Sequence, residues 1–338
     1  GIRALRTLGY DPDLFHCNEG HAAFIGLERL REYIESKSMT FPEALEVVRA
    51  STLFTTHTPV PAGHDYFDEN MLRTYMSHYP DRLRIDWNQF MNLGKMHVNK
   101  PNEKFSMSCL AVNLSRDVNG VSRLHGAVSQ EMFKDMWKGY LKEEVPIGYV
   151  TNGVHLPTWV SDRWRELYNV HIDPDFMNKQ NDRELWKKIN MVDQTEIWKI
   201  RNAERKDLIE YLKQRLIDFS AKSNQNPKLL LEVQEKLDPR ALTIGFARRF
   251  ATYKRAHLLF RDLDRLASLV NNPFMPVQFL FAGKAHPADK AGQDLIKMIV
   301  DISKSERFRG KIIFLENYEI SLAKKLIHGV DIWLNTPT

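Results

Sequence analysis

Residues 248–255, Arg-Arg-Phe-Ala-Thr-Tyr-Lys-Arg, are the ones best suited to binding a charged ligand. The apolar run 241–247 before them predicts a strand, and the spacing after them predicts a helix over 253–270. Where a strand turns into a helix, free backbone N–H groups and the helix dipole favour an anion. The paired arginines offer planar, bidentate phosphate recognition, and Lys254 adds a compact charge. The pattern predicts an anion site, with a solvated basic patch or a nucleic-acid footprint as alternatives.

Three further polar clusters follow predicted strands. Glu19 and His21, in Asn-Glu-Gly-His at 18–21, can hydrogen-bond sugar hydroxyls, and the alternative is a helix cap with a surface histidine. His57, in Thr-Thr-His-Thr-Pro, suits either a polar sugar-binding loop or a hydrogen-bonded structural histidine. Asn152, in a Thr-Asn-Gly turn, can face a ligand or only shape a turn between domains. Residue types alone do not separate these alternatives.

Several other chemistries lack their sequence patterns. The spacing of His57 and His64 fits no zinc template and no nearby cysteine supports one, so we expect no metal site. No Gly-x-Gly-x-x-Gly follows a predicted strand, and neither a Walker sequence nor a Gly-x-Ser-x-Gly elbow occurs. Dinucleotide-dependent hydride transfer, P-loop NTP hydrolysis and hydrolysis by a serine triad are therefore disfavoured.

The composition is that of an ordinary globular protein, because 43% of the 338 residues are hydrophobic and 27% are charged. This length suits about two domains, and every apolar run is far shorter than the ~20 residues of a membrane-spanning helix. Cys17 and Cys109 are isolated, which fits a reducing, cytoplasmic compartment. The net charge of +5 suits acidic partners, but no nucleic-acid-binding motif accompanies it, so we expect no nucleic acid.

The first half of the chain predicts a mixture of strands and helices. Periodicity and β-branched runs predict a buried strand at 13–17 and further strands at 52–56 and 147–151. They predict helices at 20–37, 40–50 and 121–137. Thr40 and Glu43 form a capping box at the start of the helix that ends at 50. The stretch 59–101 is rich in Pro, Asp, Asn and His, and we expect it to be irregular.

The second half predicts a parallel sheet. A long amphipathic helix through 197–216 precedes a polar loop at 220–228. Apolar runs at 241–247, 277–282, 311–315 and 329–334 then alternate with helical patterns at 253–270, 289–302 and 318–328. This alternation favours a parallel sheet with helices on both faces. Polar clusters follow the first three strands, and ligands bind at the carboxyl ends of such strands, so we expect one site that gathers them.

Seven segments, in their order along the chain, resemble those of α-glucan (glycogen, starch or maltodextrin) phosphorylases, in particular the divergent bacterial and archaeal type. They are Asn-Glu-Gly-His at 18–21, Phe-Thr-Thr-His-Thr at 54–58, Val-Asn-Gly-Val-Ser-Arg-Leu-His at 118–125, Thr-Asn-Gly at 151–153, the basic segment 248–254, Gly-Lys-Ala at 283–285 and Glu-Asn-Tyr at 316–318. The resemblance covers nearly the full chain.

The resemblance implies an α/β fold with two Rossmann-like lobes, as in B-type glycosyltransferases, both of them incomplete and facing each other across a cleft. Residues 1–153 would form the C-terminal part of the N-terminal, glucan-binding lobe. Residues 154–338 would form the first part of the C-terminal lobe, which binds phosphate and cofactor, and its parallel sheet would have flanking helices.

The resemblance also implies the reaction, a retaining phosphorolysis of α-1,4-glucan by inorganic phosphate that releases α-D-glucose 1-phosphate. The cofactor would be pyridoxal phosphate, used through its phosphate and not its ring. Carried over by position, Arg249 and Lys254 would clamp the substrate phosphate, and Arg248 and Tyr318 would lie at the cofactor phosphate. Fixed cations would offset the repulsion between two phosphates and stabilise the transition state.

The same comparison implies the sugar-binding residues. His57 and Asn152 would hold the glucosyl unit in the cleaved subsite. Glu19 and His21 would line the neighbouring acceptor side. The partners implied are α-1,4-glucan and inorganic phosphate, and a homo-oligomer is compatible with the sequence.

Three positions depart from the familiar animal and plant members of the family, which carry Lys-Arg-x-His-x-Tyr-Lys. Here Arg248 stands in place of that lysine and Ala251 in place of that histidine. The charge is kept, so the expectation of phosphate binding is kept. Asp289 stands where those members have a tyrosine, which removes an aromatic platform and leaves the preferred glucan open.

The Glu-Ala-Ser-Gly-Thr segment that holds the family's cofactor lysine does not occur in these 338 residues. By resemblance it would begin just after Thr338, and the family's N-terminal glycine-rich stretch is missing too. We therefore interpret the chain as an internal fragment. Alone, we expect it to hold no covalently bound pyridoxal phosphate and to have no phosphorylase activity.

Two other functions stay open. A B-type nucleotide-sugar glycosyltransferase, such as a glycogen or starch synthase, shares the architecture and the arginine–lysine phosphate clamp, and selective binding of ADP-glucose would favour it. A noncatalytic glucan- or nucleic-acid-binding module is the other alternative, and steeply salt-dependent oligonucleotide binding would indicate a nucleic-acid ligand.

Overall fold

The computed structural model describes residues 1–59, 64–223 and 227–336. The chain divides into two compact units, Gly1–Val154 and His155–Thr338. Each unit is built around its own four-stranded sheet. The predicted domain boundary at 153 differs from this division by one residue. No helix among the described residues is long and apolar enough to cross a membrane.

The sheet of the first unit is parallel, with strand order β1-β2-β5-β6. The strands of this unit are β1 Phe15–Asn18, β2 Thr52–Thr55, β3 Tyr66–Phe67, β4 Phe105–Ser106, β5 Asp117–Gly120 and β6 Ile147–Tyr149. The short β3 and β4 form a separate antiparallel pair. The strand expected at 13–17 was predicted as buried, but only Cys17 of β1 is buried, because β1 is an edge strand.

Eight α-helices cover the described part of this unit. They are α1 Ile2–Thr7, α2 Phe24–Lys37, α3 Phe41–Ala50, α4 Glu69–Met76, α5 Tyr79–Leu83, α6 Trp87–Asn92, α7 Met107–Asn113 and α8 Arg123–Phe133. The capping box of α3 is confirmed, since the Glu43 carboxylate accepts hydrogen bonds from the Thr40 backbone N–H at 2.8 Å and from the Thr40 hydroxyl at 2.7 Å. The helix predicted at 121–137 ends earlier, at Phe133.

The expectation of an irregular stretch at 59–101 was wrong in part, because the helices α4, α5 and α6 lie there. Residues 60–63 of that stretch lie outside the described residues. Each helix has only five to eight residues, so the sequence shows no sustained period. Asp86 caps α6 by accepting from the backbone N–H of Gln89 at 2.8 Å. Leu72, Leu83 and Phe90 are buried in the core, which stabilises these short helices.

The sheet of the second unit is also parallel, with strand order β10-β7-β8-β9. Its strands are β7 Leu242–Ala247, β8 Val277–Ala282, β9 Ile312–Leu315 and β10 Ile332–Trp333. From β7 the chain moves outward through β8 to β9, and then returns to place β10 on the other side of β7. This is the order in which a doubly wound nucleotide-binding sheet begins, with its switch point between β7 and β10.

The helices of the second unit are α9 Leu156–Trp159, α10 Asp162–His171, α11 Arg183–Lys187, α12 Gln194–Ser223, α13 Pro227–Lys236, α14 Leu263–Val270, α15 Lys290–Lys304 and α16 Ile320–Gly329. The expected loop at 220–228 was wrong at both ends, because α12 continues to Ser223 and α13 begins at Pro227. Residues 224–226 of that loop lie outside the described residues.

Helices cover both faces of the second sheet, as the alternating pattern predicts. Along β8, Leu280 joins one apolar cluster with residues of α12 and α16, whereas Phe281 joins a second cluster with residues of α14 and α15. Successive side chains of a strand point to opposite faces, so a strand covered on both sides is apolar throughout. The α/β class with parallel sheets and flanking helices is therefore confirmed.

Candidate active site

The basic segment lies at the carboxyl edge of the second sheet. Arg248 and Arg249 come directly after β7, which is the strand beside the switch point. Lys284 follows β8 and Tyr318 follows β9 at the same edge, because all four strands run parallel. The sheet thus brings the three predicted polar clusters to one edge, where open α/β sheets bind their ligands.

Three cations of this segment lie close together without a carboxylate. Arg249 is exposed, and Arg248 and Lys254 are half-buried. None of the three forms an ion pair or a side-chain hydrogen bond with the residues that the structure describes. Partial burial and the positive charges of Arg248 and Arg249 lower the pKa of Lys254 below its ordinary value. Like charges held together without a counter-ion favour binding of an anion.

The backbone of this segment is paired with the loop after β8. The Arg248 N–H donates to the Ala282 carbonyl at 3.2 Å, and the Phe250 N–H donates to the Lys284 carbonyl at 2.8 Å. Gly283, at φ +150°, lies between them, and a Cβ there would be 2.0 Å from the Arg248 carbonyl oxygen. Only glycine allows the two loops to approach this closely.

We expected an α-helix to begin within the basic segment, and this prediction was wrong. Thr252–Lys254 and Ala256–Phe260 are 3₁₀ turns, and α14 begins only at Leu263. Arg255 is left-handed at φ +49°, and this conformation cannot continue a helix. The Thr336 hydroxyl donates to the Lys254 carbonyl at 2.7 Å and thereby holds the turn. The anion attraction of this corner therefore comes from its side chains and not from an α-helix dipole.

The loop after β9 is held from α12. Arg215 donates to the carbonyls of Glu316 at 2.9 Å and Asn317 at 3.0 Å. Asn317 is left-handed at φ +52°, and the arginine bonds stabilise this turn. Tyr318 is half-buried, and burial raises the pKa of its phenol, so the hydroxyl stays protonated and can donate. No pattern in the sequence singles out Arg215, because the two carbonyls and the Glu319 carboxylate that it contacts lie about a hundred residues away in the chain.

At the carboxyl edge of the first sheet, Glu19 is turned towards the loop after β2. Its Oε1 accepts from the His57 N–H at 2.7 Å and from the Thr58 hydroxyl at 3.0 Å. The His57 Nε2 lies 2.5 Å from the Asn18 Oδ1. Glu19 is left-handed at φ +67°, a conformation that costs a non-glycine residue free energy. Glu19 and His57 are thus brought together, with the carboxylate holding the histidine's backbone.

His21 and Asn152 lie elsewhere on the first unit's surface. Both side chains are exposed, and neither hydrogen-bonds to another side chain within the ranges that the structure describes. The Asn152 N–H donates to the Val121 carbonyl at 3.1 Å, which fixes the turn while leaving the side chain open. Among the described residues, no hydrogen bond joins the side chains of His21 and Asn152 to Glu19 or His57.

Sequence reasoning missed several buried polar residues beside Glu19. His64 is buried and satisfied at both ring nitrogens, by the Ser108 hydroxyl at 2.6 Å and the Thr58 carbonyl at 3.1 Å. His125 and Thr56 are also buried, yet His125 Nε2 and Thr56 Oγ1 have no hydrogen-bond partner among the described residues. Both belong to segments that carry the family resemblance, which was the available signal. No group of three metal-ligating side chains is found within the described ranges.

A model of the family described as Carbohydrate phosphorylase matches residues 10–335. The chain belongs to the carbohydrate phosphorylase family. A maltodextrin phosphorylase of Thermococcus litoralis is 39% identical over 338 residues, which cover all of this chain and 39% of that protein. A glycogen phosphorylase of Mycobacterium tuberculosis is 39% identical over 348 residues, covering all of this chain and 40% of that protein.

The brain form of rat glycogen phosphorylase is less similar in sequence to this chain, with 23% identity over 350 residues. The higher identity to the archaeal and bacterial relatives confirms the resemblance to the divergent type. The chain spans about two fifths of the length of these relatives.

Proposed function

We propose that the protein containing this chain cleaves α-1,4-glucan with inorganic phosphate and releases α-D-glucose 1-phosphate with retention of configuration. Membership in the phosphorylase family supports the reaction class. The observation that carries the proposal is the group of Arg248, Arg249 and Lys254, which has no acidic partner among the described residues at a sheet edge suited to ligands.

Arg249 and Lys254 bind the substrate phosphate in this proposal. Arg249 is exposed and offers a planar pair of N–H donors, and Lys254 offers a compact charge. Partial burial, and after it the repulsion from Arg248 and Arg249, lower the pKa of Lys254, and a bound phosphate opposes both effects by favouring the charged lysine. Positive charge placed before the reaction begins stabilises the negative charge that develops in the transition state.

The first unit binds the sugar in this proposal. His57 and Asn152 hold the glucosyl unit, and His21 contributes to the acceptor side. Glu19 supports them, because one of its carboxylate oxygens already binds the His57 N–H. We propose that its contribution is to fix the His57 loop, in addition to any contact with the acceptor glucan.

The family implies pyridoxal phosphate, and the residues of this chain fit its phosphate group. Arg248 presents a half-buried guanidinium that has no counter-ion among the described residues, and Tyr318 presents a protonated phenol at the same sheet edge. When bound, the cofactor supplies a second phosphate that exchanges a proton with the substrate phosphate. Arg248 would hold that group by charge and Tyr318 by a hydrogen bond.

We further propose that the activity requires more than these 338 residues, because they contain no Glu-Ala-Ser-Gly-Thr segment. The polypeptide of 338 residues, incubated with pyridoxal phosphate and reduced with borohydride, should carry no stoichiometric label on a single lysine. One lysine of this polypeptide labelled specifically and stoichiometrically would contradict this part of the proposal.

The test of function uses the full-length protein with maltoheptaose and phosphate, and follows the α-anomeric proton and phosphorus signals of glucose 1-phosphate. Arg249→Ala or Lys254→Ala should lower kcat/KM for phosphate by about 10²–10³-fold, the usual effect of removing a transition-state donor. Arg265→Ala, an exposed arginine of the same unit, is the matched control and should leave the rate unchanged.

Release of free glucose without glucose 1-phosphate would refute the proposal, and so would equal losses in the control and the site variants. Calorimetry adds a direct comparison of ligands. Glucose 1-phosphate and phosphate should bind to the wild-type protein, and selective, tight binding of ADP-glucose would instead indicate a nucleotide-sugar glycosyltransferase.

A further inference from the structure

Three buried side-chain atoms at the carboxyl edge of the first sheet have no hydrogen-bond partner among the described residues. They are Glu19 Oε2, Thr56 Oγ1 and His125 Nε2. These residues follow β1, β2 and β5, which are adjacent parallel strands. Buried polar atoms are nearly always satisfied by protein or by ordered water. Two of these atoms lie directly after β1 and β2 and the third lies in the first turn of α8, and we interpret them as sharing a common partner.

The chemistry of the three atoms is complementary. The Val121 N–H donates to His125 Nδ1 at 3.3 Å, so in the neutral ring the proton lies on Nε2, which becomes a donor. His125 is 8% exposed, and burial lowers the pKa of its imidazole, which keeps the ring neutral. Glu19 Oε2 is an acceptor, and the Thr56 hydroxyl can donate or accept.

The position of the His125 ring is fixed by its surroundings. A Cβ at Gly120 would lie 2.6 Å from His125 Nδ1 and 2.8 Å from the Gly126 N, so the ring and the start of α8 are seated against β5. The carboxylate of Glu19 is near enough to act electrostatically on the imidazole, but no direct hydrogen bond joins them. A polar pair that is close but not bonded is a usual place for a bridging water.

We propose that His125 is a positioning residue, whose Nε2–H binds one enclosed water that also binds Glu19 Oε2 and the Thr56 hydroxyl. A buried water commonly makes about three hydrogen bonds, which is the number available here. The inference rests on the proposed function, because the water bridge would hold the loop that carries His57, the residue proposed to bind sugar.

The link from His125 to His57 runs through the two oxygens of one carboxylate. Glu19 Oε2 takes the water, while Oε1 takes the His57 N–H at 2.7 Å and the Thr58 hydroxyl at 3.0 Å. Without the water, rotation of the carboxylate would weaken both bonds of Oε1. His125 touches neither the sugar nor phosphate in this scheme, and it acts only by fixing Glu19.

Two substitutions of His125 in the full-length protein distinguish the role of Nε2 from that of Nδ1. His125→Asn places an amide oxygen near the Nδ1 position and keeps the acceptor for Val121, but it provides no donor at Nε2. His125→Gln reaches the Nε2 position with an N–H donor. If the water bridge is correct, the glutamine variant rescues what the asparagine variant loses.

The first readout is hydrogen exchange at the His57 amide, which does not depend on enzyme activity. The asparagine variant should exchange this amide about 10-fold faster, the equivalent of one weakened hydrogen bond, and the glutamine variant should stay close to wild type. Amides in the core helix α2 should be unchanged in both variants. Unchanged exchange at His57 in the asparagine variant would overturn the proposal.

The second readout is kinetic. The asparagine variant should lower kcat/KM for glucose 1-phosphate by about 10-fold, with substantial recovery in the glutamine variant. If both variants lose global stability, Thr56→Val replaces them, because it removes one ligand of the water at nearly constant volume, and it should also speed exchange at His57. Normal exchange at His57 in Thr56→Val would count against the bridge.

A high-resolution crystal structure of the full-length protein gives the direct answer. One water within hydrogen-bonding distance of all three atoms is expected, and a dry site would refute the proposal. The exchange and crystallographic results stand even if the wild-type protein forms no glucose 1-phosphate. In that case the proposed function fails while the water bridge is still judged on its own.

Discussion

The carboxyl edges of the two sheets carry different kinds of polar surface. In the second unit, three cations lie together with no carboxylate partner among the described residues. In the first unit, polar side chains bind one another, as His16 Nε2 and Thr55 Oγ1 do at 2.7 Å. Several polar groups of the first edge are hydrogen-bonded to one another, so that part of its geometry is set before a ligand arrives. The second edge holds unbalanced charge, so its stability should depend on an anion.

Among substitutions outside the cation group itself, Gly283→Ala should have the largest effect, and it tests whether the cation edge depends on one close approach. The added Cβ would lie 2.0 Å from the Arg248 carbonyl oxygen, so the two loops must separate. We expect a loss of about 1–3 kcal/mol in the free energy of unfolding and of about 100-fold in kcat/KM for phosphate, since misplaced groups lose catalysis steeply. Urea unfolding and initial rates measure both.

Gly148→Ala is the matched control for this substitution, because nothing lies within 4 Å of a Cβ at Gly148. It should leave phosphate kinetics unchanged. A Gly283→Ala protein with wild-type kinetics would show that the cation edge tolerates movement of its loops.

The next prediction concerns Arg215, which holds the loop that carries Tyr318. Arg215→Met removes two hydrogen bonds from a charged group to the carbonyls of Glu316 and Asn317. We expect a cost of about 1.5–3 kcal/mol in unfolding free energy, together with weaker binding of pyridoxal phosphate, measured by fluorescence titration. Arg215→Lys, which keeps the charge, should lose less. Equal cofactor affinity in the wild type and in Arg215→Met would show that the Tyr318 loop is not held from α12.

Phosphate should stabilise the second unit. This prediction tests most directly whether the second edge, unlike the first, depends on an anion. Phosphate at about ten times its Kd should raise the unfolding free energy of the wild type by about 1.4 kcal/mol. Arg249→Ala should lose this gain, and in phosphate-free buffer it should be slightly more stable than the wild type, because one repulsive charge is gone. Thermal unfolding with and without phosphate measures both changes in stability. An Arg249→Ala protein that is less stable than the wild type in phosphate-free buffer would contradict the charge argument.

The smallest effect is a pH dependence in the first unit. Burial lowers the pKa of His125 below 6.5, with Glu19 opposing and His57 and His64 reinforcing the shift. As pH falls below about 6.5, the unfolded chain binds a proton that the folded His125 resists, so stability falls. Unfolding free energies at several pH values should show this slope in the wild type and a flatter one in His125→Asn. Identical slopes would mean that His125 does not titrate differently in the two states.

The sequence predicted the second unit better than the first, for a physical reason. Strands such as β8 are covered on both faces, so they form largely apolar runs that are easily recognised. The helices α4 to α6 have no such signal, because each has at most eight residues and owes its stability to packing. Length therefore decided which elements were visible in the sequence.

The candidate site was predictable to the extent that it consists of neighbours in the chain. Arg248, Arg249 and Lys254 are grouped by the sequence itself, and the structure keeps them together. The role of Arg215 and the orientation of Glu19 depend on contacts between distant segments and on left-handed backbone, which no residue pattern encodes.

The close approach at Gly283 also has a mechanical consequence. Since not even a methyl group fits between this residue and the Arg248 carbonyl, the loops after β7 and β8 cannot slide past each other. A displacement of one loop must be shared by the other, and substitutions in the two should combine non-additively. A substitution near Lys284 that moves its loop would thus also move Arg248 and Arg249, and would change the anion affinity without forming a new contact.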